Sequence, residues 1–179
     1  CLEKDLGAGS MTDSSTLYGY IRWCAEKFPA SRYGLILWDH GGGSVSGYGY
    51  DEKFASAGSM SLSGVDRNLG DAGVKFDFVG FDACLMATAE TALMLAEHAD
   101  YLIASEETEP GVGWYYTDWL TALGKNPSMP TIEIGQQIVD SFVETCAQKC
   151  RGQLTTLSVI DLAELEATLP QALADFSRS

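Results

Sequence analysis

His40 and Cys84 are the residues whose types and placement could do chemistry together. Each stands just past a short apolar run. YGLILW (33–38) leads into Asp39-His40-Gly41, and KFDFVGF (75–81) leads into Asp82-Ala83-Cys84. A thiol beside an imidazole makes a nucleophile with its base, or a thiolate–imidazolium pair. Gly41-Gly42-Gly43 follows His40; glycines let a backbone come close to a ligand, and N–H groups in such a stretch can hold an oxyanion. Asp82 lies two residues before Cys84, so at the period of a strand both side chains point the same way. Two roles fit Asp82: a carboxylate that pairs with a basic group of a substrate, or the N-cap of a helix starting near Leu85. The N-terminal dipole of that helix would favour a Cys84 thiolate. A single Cys after a strand is usually a small buried hydrophobe. The joint placement of His and Cys at two strand ends is what points to nucleophilic catalysis.

The elements that must position these residues read as alternating helix and strand. Residues 13–27 predict a helix capped by Asp13-Ser14-Ser15-Thr16, with Leu17, Tyr20, Ile21 and Cys24 on one face. The apolar runs at 33–38, 75–81, 101–104 and 157–160 read as buried strands. Residues 85–99, 114–123 and 131–149 read as helices, and Asp161 caps a last helix bent near Pro170. Residues 41–64 are too long for an ordinary connection, which suggests a functional loop or a hairpin. This alternation predicts an α/β fold with a parallel sheet covered on both faces. Chemistry then collects at the carboxyl ends of the strands. Three places qualify: Asp39-His40-Gly41, Asp82-Ala83-Cys84 and Ser105-Glu106-Glu107.

The 179 residues suit one domain with one core, and the 46% hydrophobic content excludes a disordered chain. With 11 basic and 25 acidic residues, the net charge is −14. Such a chain is a poor partner for nucleic acid and attracts cations at long range. No apolar run approaches the ~20 residues that span a bilayer. The start, CLEKDLGAGS, shows no signal-peptide core. Five cysteines, Cys1, Cys24, Cys84, Cys146 and Cys150, leave at least one thiol free if the others pair within the chain. Their spacing with His40 and His98 matches no zinc pattern, so no metal site is read. His98, near a helix C-terminus, reads as structural.

YGLILWDHGGG, FDFVGFDACLMA and YLIASEETEPGVGWYY together resemble the clostripain family of cysteine peptidases, within the clan of caspases, legumains and gingipains. The likeness runs over about residues 1–165. It implies a single caspase-like α/β/α sandwich over 1–179 with a mostly parallel sheet. It also implies that one or more N-terminal strands lie outside this chain, a fragment of a longer catalytic one. On this resemblance Cys84 is the nucleophile and His40 the base and proton donor, with the N–H groups of Gly41 and Cys84 as the oxyanion hole. It further implies a peptide or protein substrate with Arg or Lys at P1, held by Asp82. Ser105, Glu106 and Trp114 are further substrate-binding candidates near the S1 wall, although Trp114 also fits a core position. No cofactor is implied, but some members need Ca²⁺, for which the Ser105–Glu107 loop offers oxygens. Relatives can cut themselves after a basic residue in the loop before the nucleophile, which makes Lys53, and less readily Arg67, the self-cleavage candidate. Relatives are commonly exported bacterial enzymes.

Three other readings compete. His40-Gly41-Gly42-Gly43 matches the oxyanion motif of esterases, but the chain holds no Gly-x-Ser-x-Gly elbow. The glycine loop after a strand suggests nucleotide binding, but it breaks G-x-G-x-x-G at the last position. A catalytically inactive binding or scaffold domain of the same fold would keep the same residues.

Overall fold

The four apolar runs form one sheet in the order β1-β2-β3-β4. They span Gly34–Trp38 (β1), Phe76–Asp82 (β2), Ala99–Ala104 (β3) and Ser158–Asp161 (β4). These positions come from a computed structural model that describes residue 5 and residues 7–178. Cys1 lies outside the described residues. β1, β2 and β3 are mutually parallel, whereas β4 runs antiparallel to β3. The sheet is thus mostly parallel, as expected, and β4 is its one antiparallel strand among the described residues. The cause is the connection. α5 (Tyr116–Lys125) leads down one face and α6 (Thr131–Lys149) leads back up, so the chain re-enters the sheet from the opposite end. One crossover helix would have kept β4 parallel; two reverse it.

Period-2 alternation splits the strands between two cores. Leu35, Leu37, Val79, Phe81, Leu102 and Ala104 face one layer. That layer holds α1 (Ser14–Lys27), α3 (Leu62–Ala72), α4 (Ala89–Leu95) and α7 (Leu162–Phe176). Phe78 and Ile103 face α5 and α6, whose Trp119, Ile134, Ile138 and Phe142 cover them. At the lower end of the sheet the Arg32 guanidinium bonds Asp77, the Met129 carbonyl at 2.8 Å and Thr131 Oγ1 at 2.9 Å. It fastens the α5–α6 turn to the start of the strands.

Local signals set most element ends. Asp13 caps α1 by accepting from Ser15 N at 2.8 Å, and Asp161 caps α7 by accepting from Glu164 N at 3.1 Å. α7 runs through Pro170 without interruption. The expected helix over 85–99 starts late. Its N-cap is Thr88, whose hydroxyl accepts from Thr91 N at 3.1 Å. The preceding residues are drawn to the loop after β3: Leu85 N donates to Glu107 O at 3.0 Å and Ala87 N to Ser105 O at 2.9 Å. Cys84 is thus not at a helix N-terminus, and Asp82 is not a helix cap. The 41–64 stretch folds into α2 (Gly43–Ser46), a 3₁₀ segment (Glu52–Ala57) and single bridges from Tyr48 to Gly41 and to Met60.

Gly80 lies on the α5 side of β2 because the Trp114 ring occupies the space of a side chain. A Cβ there would lie 2.8 Å from the Trp114 ring. Gly80→Ala is expected to cost about 1–3 kcal/mol through overpacking. A melting curve should show a Tm lower by roughly 2–4 °C per kcal/mol; an unchanged Tm would mean the ring yields freely.

Candidate active site

Register brings the two reactive side chains together. Trp38 pairs with Asp82 across β1 and β2. His40 and Cys84 each come two residues after that pair, so both emerge at the carboxyl end of adjacent parallel strands. They line one cavity of about 410 Å³, together with Trp38, Asp82, Glu109 and Gly113 among others. That volume lies within the usual range of small-ligand sites.

The backbone around the pair is tightly built. A Cβ on Gly41 would lie 2.1 Å from the Cys84 carbonyl oxygen, so only glycine lets the two loops meet. The Gly41–Tyr48 bridge is held by Gly42 N donating to Gly47 O at 2.9 Å and Gly49 N to His40 O at 2.8 Å. It does not consume the Gly41 N–H. Leu85, directly after Cys84, has φ +63°. This left-handed conformation costs a non-glycine residue roughly 1–2 kcal/mol. It turns the chain sharply, leaving Cys84 partly exposed at the cavity wall. Glu109 N donates to Cys84 Sγ at 3.2 Å, and a donor aimed at sulfur stabilises negative charge on it.

Asp82 is 4% exposed. Trp114 N reaches its Oδ1 at 3.2 Å and its Oδ2 at 3.1 Å, and the Tyr116 hydroxyl donates to Oδ2 at 2.9 Å. Burial raises its carboxyl above the ordinary value, against the pull of these donors. Burial also raises the Tyr116 and Tyr48 hydroxyls, with the Asp82 charge adding to both. Glu109 is a site residue that the sequence reading missed. Both its carboxylate oxygens are buried without a hydrogen-bond donor. Burial first, and then the Asp82 charge, push its carboxyl up to about 8. The only signal for it was membership of the acidic stretch SEETEP, which does not say which acid turns inward.

The remaining candidates fall elsewhere. Ser105 is fully buried, with its hydroxyl 2.7 Å from Thr156 Oγ1. Glu106 is exposed and accepts from the Ser158 hydroxyl at 2.5 Å. Neither lines the cavity. The Trp114 ring is 4% exposed and packs in the core, so this residue serves Asp82 through its main-chain N–H and is not a cavity wall. Lys53 is exposed in the 3₁₀ segment and Arg67 is exposed within α3. His98 meets Asp66 at 2.7 Å, away from the cavity. Cys24 and Cys150 are partly exposed and Cys146 is buried. Among the described residues, no group of three or more His, Cys, Asp or Glu side chains could hold a metal ion. No helix among them is long and apolar enough to cross a membrane.

A mostly parallel sheet between two helical layers, with His and Cys past the ends of two adjacent parallel strands, defines a caspase-like domain. The chain belongs to the clostripain family, whose model matches residues 5–177. It is similar to clostripain from Hathewaya histolytica, at 30% identity over 126 residues, covering 60% of this chain and 23% of that protein. Among solved structures it is similar to a secreted C11 cysteine protease from Bacteroides thetaiotaomicron in complex with an irreversible peptide inhibitor. There the identity is 26% and the TM-score 0.75, over 89% of this chain and 48% of that one. It is also similar to an inactive zymogen C11 protease from Parabacteroides distasonis, at 25% identity and TM-score 0.71, over 93% and 44%. The chain thus spans about half the length of these solved relatives and about a quarter of the curated one. The family match leaves the esterase and nucleotide-binding readings without support.

Gly41 and Gly124 make opposite expectations. Gly41→Ala should destabilise by about 1–3 kcal/mol, because the Cys84 carbonyl cannot retreat easily. Gly124 lies in α5 with nothing within 4 Å of an added Cβ, so Gly124→Ala should stabilise by about 0.5–1 kcal/mol. Chemical denaturation of both variants separates the two; equal effects would deny the close approach at Gly41.

Proposed function

We propose that this domain is the catalytic part of a cysteine endopeptidase that cleaves after Arg or Lys. The observation that carries the reading is one cavity shared by His40, Cys84 and two buried carboxylates, Asp82 and Glu109, with no Lys or Arg in its lining. A basic side chain enters this acidic cavity and pairs with Asp82, whose oxygens are already oriented by Trp114 N and Tyr116. That places the scissile carbonyl over Cys84. His40 takes up the thiol proton, and the thiolate attacks the carbonyl carbon. The N–H groups of Gly41 and Cys84 receive the oxyanion. His40 then protonates the departing amine, leaving a thioester. A water, deprotonated by His40, attacks the thioester and frees the acid and the Cys84 thiol.

Export belongs to the same proposal and rests on the secreted Bacteroides relative. So does self-cleavage after Lys53. This residue sits in a short exposed segment with a non-helical break at Phe54, which can become extended more cheaply than the α3 turn holding Arg67.

Fluorogenic peptides that differ only at P1 test the reading. Arg and Lys should be cleaved well ahead of Asp, Asn and apolar residues. Cys84→Ala should reduce turnover on the order of 10³-fold or more. Asp82→Asn should reduce kcat/KM for Arg by roughly 30-fold or more, equivalent to about 2 kcal/mol. Equal rates for wild type and Cys84→Ala would end the peptidase reading, and a preference for Asp or Asn would end the basic-P1 reading. Intact-mass measurement after incubation should show cleavage at Lys53 in the wild type and none in Cys84→Ala. An uncut wild type sinks self-cleavage.

A further inference from the structure

Two carboxylates line the cavity beside Cys84, and their surroundings are unequal. Asp82 has the completed hydrogen bonds: Trp114 N–H to both oxygens and the Tyr116 hydroxyl to one. Glu109 has none for either oxygen, although both are buried. The Trp114 indole favours its charged form without reaching full hydrogen-bond geometry. The titratable groups around the two come from every packed element. Tyr48 lies on the loop after β1, Tyr116 on α5 and Cys146 on α6, with Asp39 beyond Tyr48. His40 and Cys84 line the same cavity. Of these, only His40 can carry a positive charge. Two neighbouring buried carboxylates without a compensating cation do not both stay ionised.

We propose that Asp82 and Glu109 hold one proton between them while the cavity is empty, with Glu109 as its donor to Asp82, and that an entering basic side chain expels that proton. Glu109 is then a specificity-determining residue of a particular kind. The proton satisfies the pair in the absence of substrate, and the guanidinium or ammonium takes its place. One positive charge enters as one leaves, so the cavity's net charge stays constant through binding. Selectivity for a basic over an uncharged side chain therefore widens as pH rises. The inference rests on the basic-P1 reading above, and adds to it who holds the proton.

The sign follows from linkage. Below the value at which the pair loses its proton, a cation must displace one, so its affinity rises about tenfold per pH unit; above it the affinity levels off. The rise should end near pH 8, where the Glu109 carboxyl titrates.

Benzamidine, an amidinium, and benzamide, its uncharged counterpart, are the probes, titrated calorimetrically into the 179-residue chain. Buffers of different ionisation enthalpy give the proton count. Benzamidine should bind more tightly than benzamide and release close to one proton at about pH 6.5, and almost none at about pH 9.5. Glu109→Gln should abolish the release and flatten the pH profile while benzamidine still binds through Asp82. Preferential benzamidine binding without proton release in the wild type would overturn the proposal and leave the basic-P1 reading standing. Release that survives Glu109→Gln would also overturn it, by placing the proton on a group other than Glu109. Equal binding of benzamidine and benzamide at every pH would remove the basic-P1 reading and this inference with it. The wild-type count does not depend on any variant folding.

Discussion

The parallel register of β1 and β2 is the constraint on which the rest of this structure depends. It pairs Trp38 with Asp82, and the two loops that continue from that pair carry His40 and Cys84. A slip of one residue would move one side chain about 3.3 Å along the sheet and turn its strand's side chains to the other face. Features far from the site hold the register. Arg32 ties the start of the strands to the α5–α6 turn. Trp114 fills the gap over Gly80 on one face, and Leu35, Leu37 and Val79 are buried on the other. The Gly41–Cys84 contact then fixes the loops that the strands deliver.

Against this scaffold the site itself is costly. Leu85 adopts a left-handed conformation, and Glu109 buries a carboxyl that has no donor. Both features would be removed by a sequence selected for stability alone. Strained backbone and unpaired buried polar groups collect where a protein binds or reacts. Here both lie within the stretch that borders one cavity. The well-satisfied carboxylate, Asp82, and the unsatisfied one, Glu109, divide two tasks that a single acid does poorly: a fixed geometry and an unspent demand for positive charge.

Much of this was legible in the sequence, for physical reasons that also mark its limits. The four strands stood out because each is a short apolar run between turn residues, and His40 and Cys84 stood out because each directly follows such a run. The direction of β4 was not legible, since an apolar run reads the same in either sense and only the α5–α6 pair decides it. Residues 85–87, Leu-Met-Ala, favour a helix by propensity, yet the carbonyls of Ser105 and Glu107 hold them in non-helical backbone. That pairing is tertiary. Ser105 and Glu106 satisfied the rule that chemistry lies past strand ends, but Thr156 and Ser158, much later in the chain, claim their side chains. Nothing local separates Glu106 and Glu107 from Glu109; the fold alone selects which acid turns inward.

The reversal of β4 places the stretch that enters it, rather than the one that leaves it, at the working end of the sheet. Gln153, Leu154, Thr155 and Thr156 share a depression with Glu107, Glu109 and Pro110. Leu154 is 95% exposed there. Thr156 is committed, because it holds the Ser105 hydroxyl and the Glu107 N–H, and the carbonyls of those two residues fix the loop after Cys84. Leu154 is the part of this rim that evolution or a protein engineer can rewrite to change what lies beyond the first bound side chain.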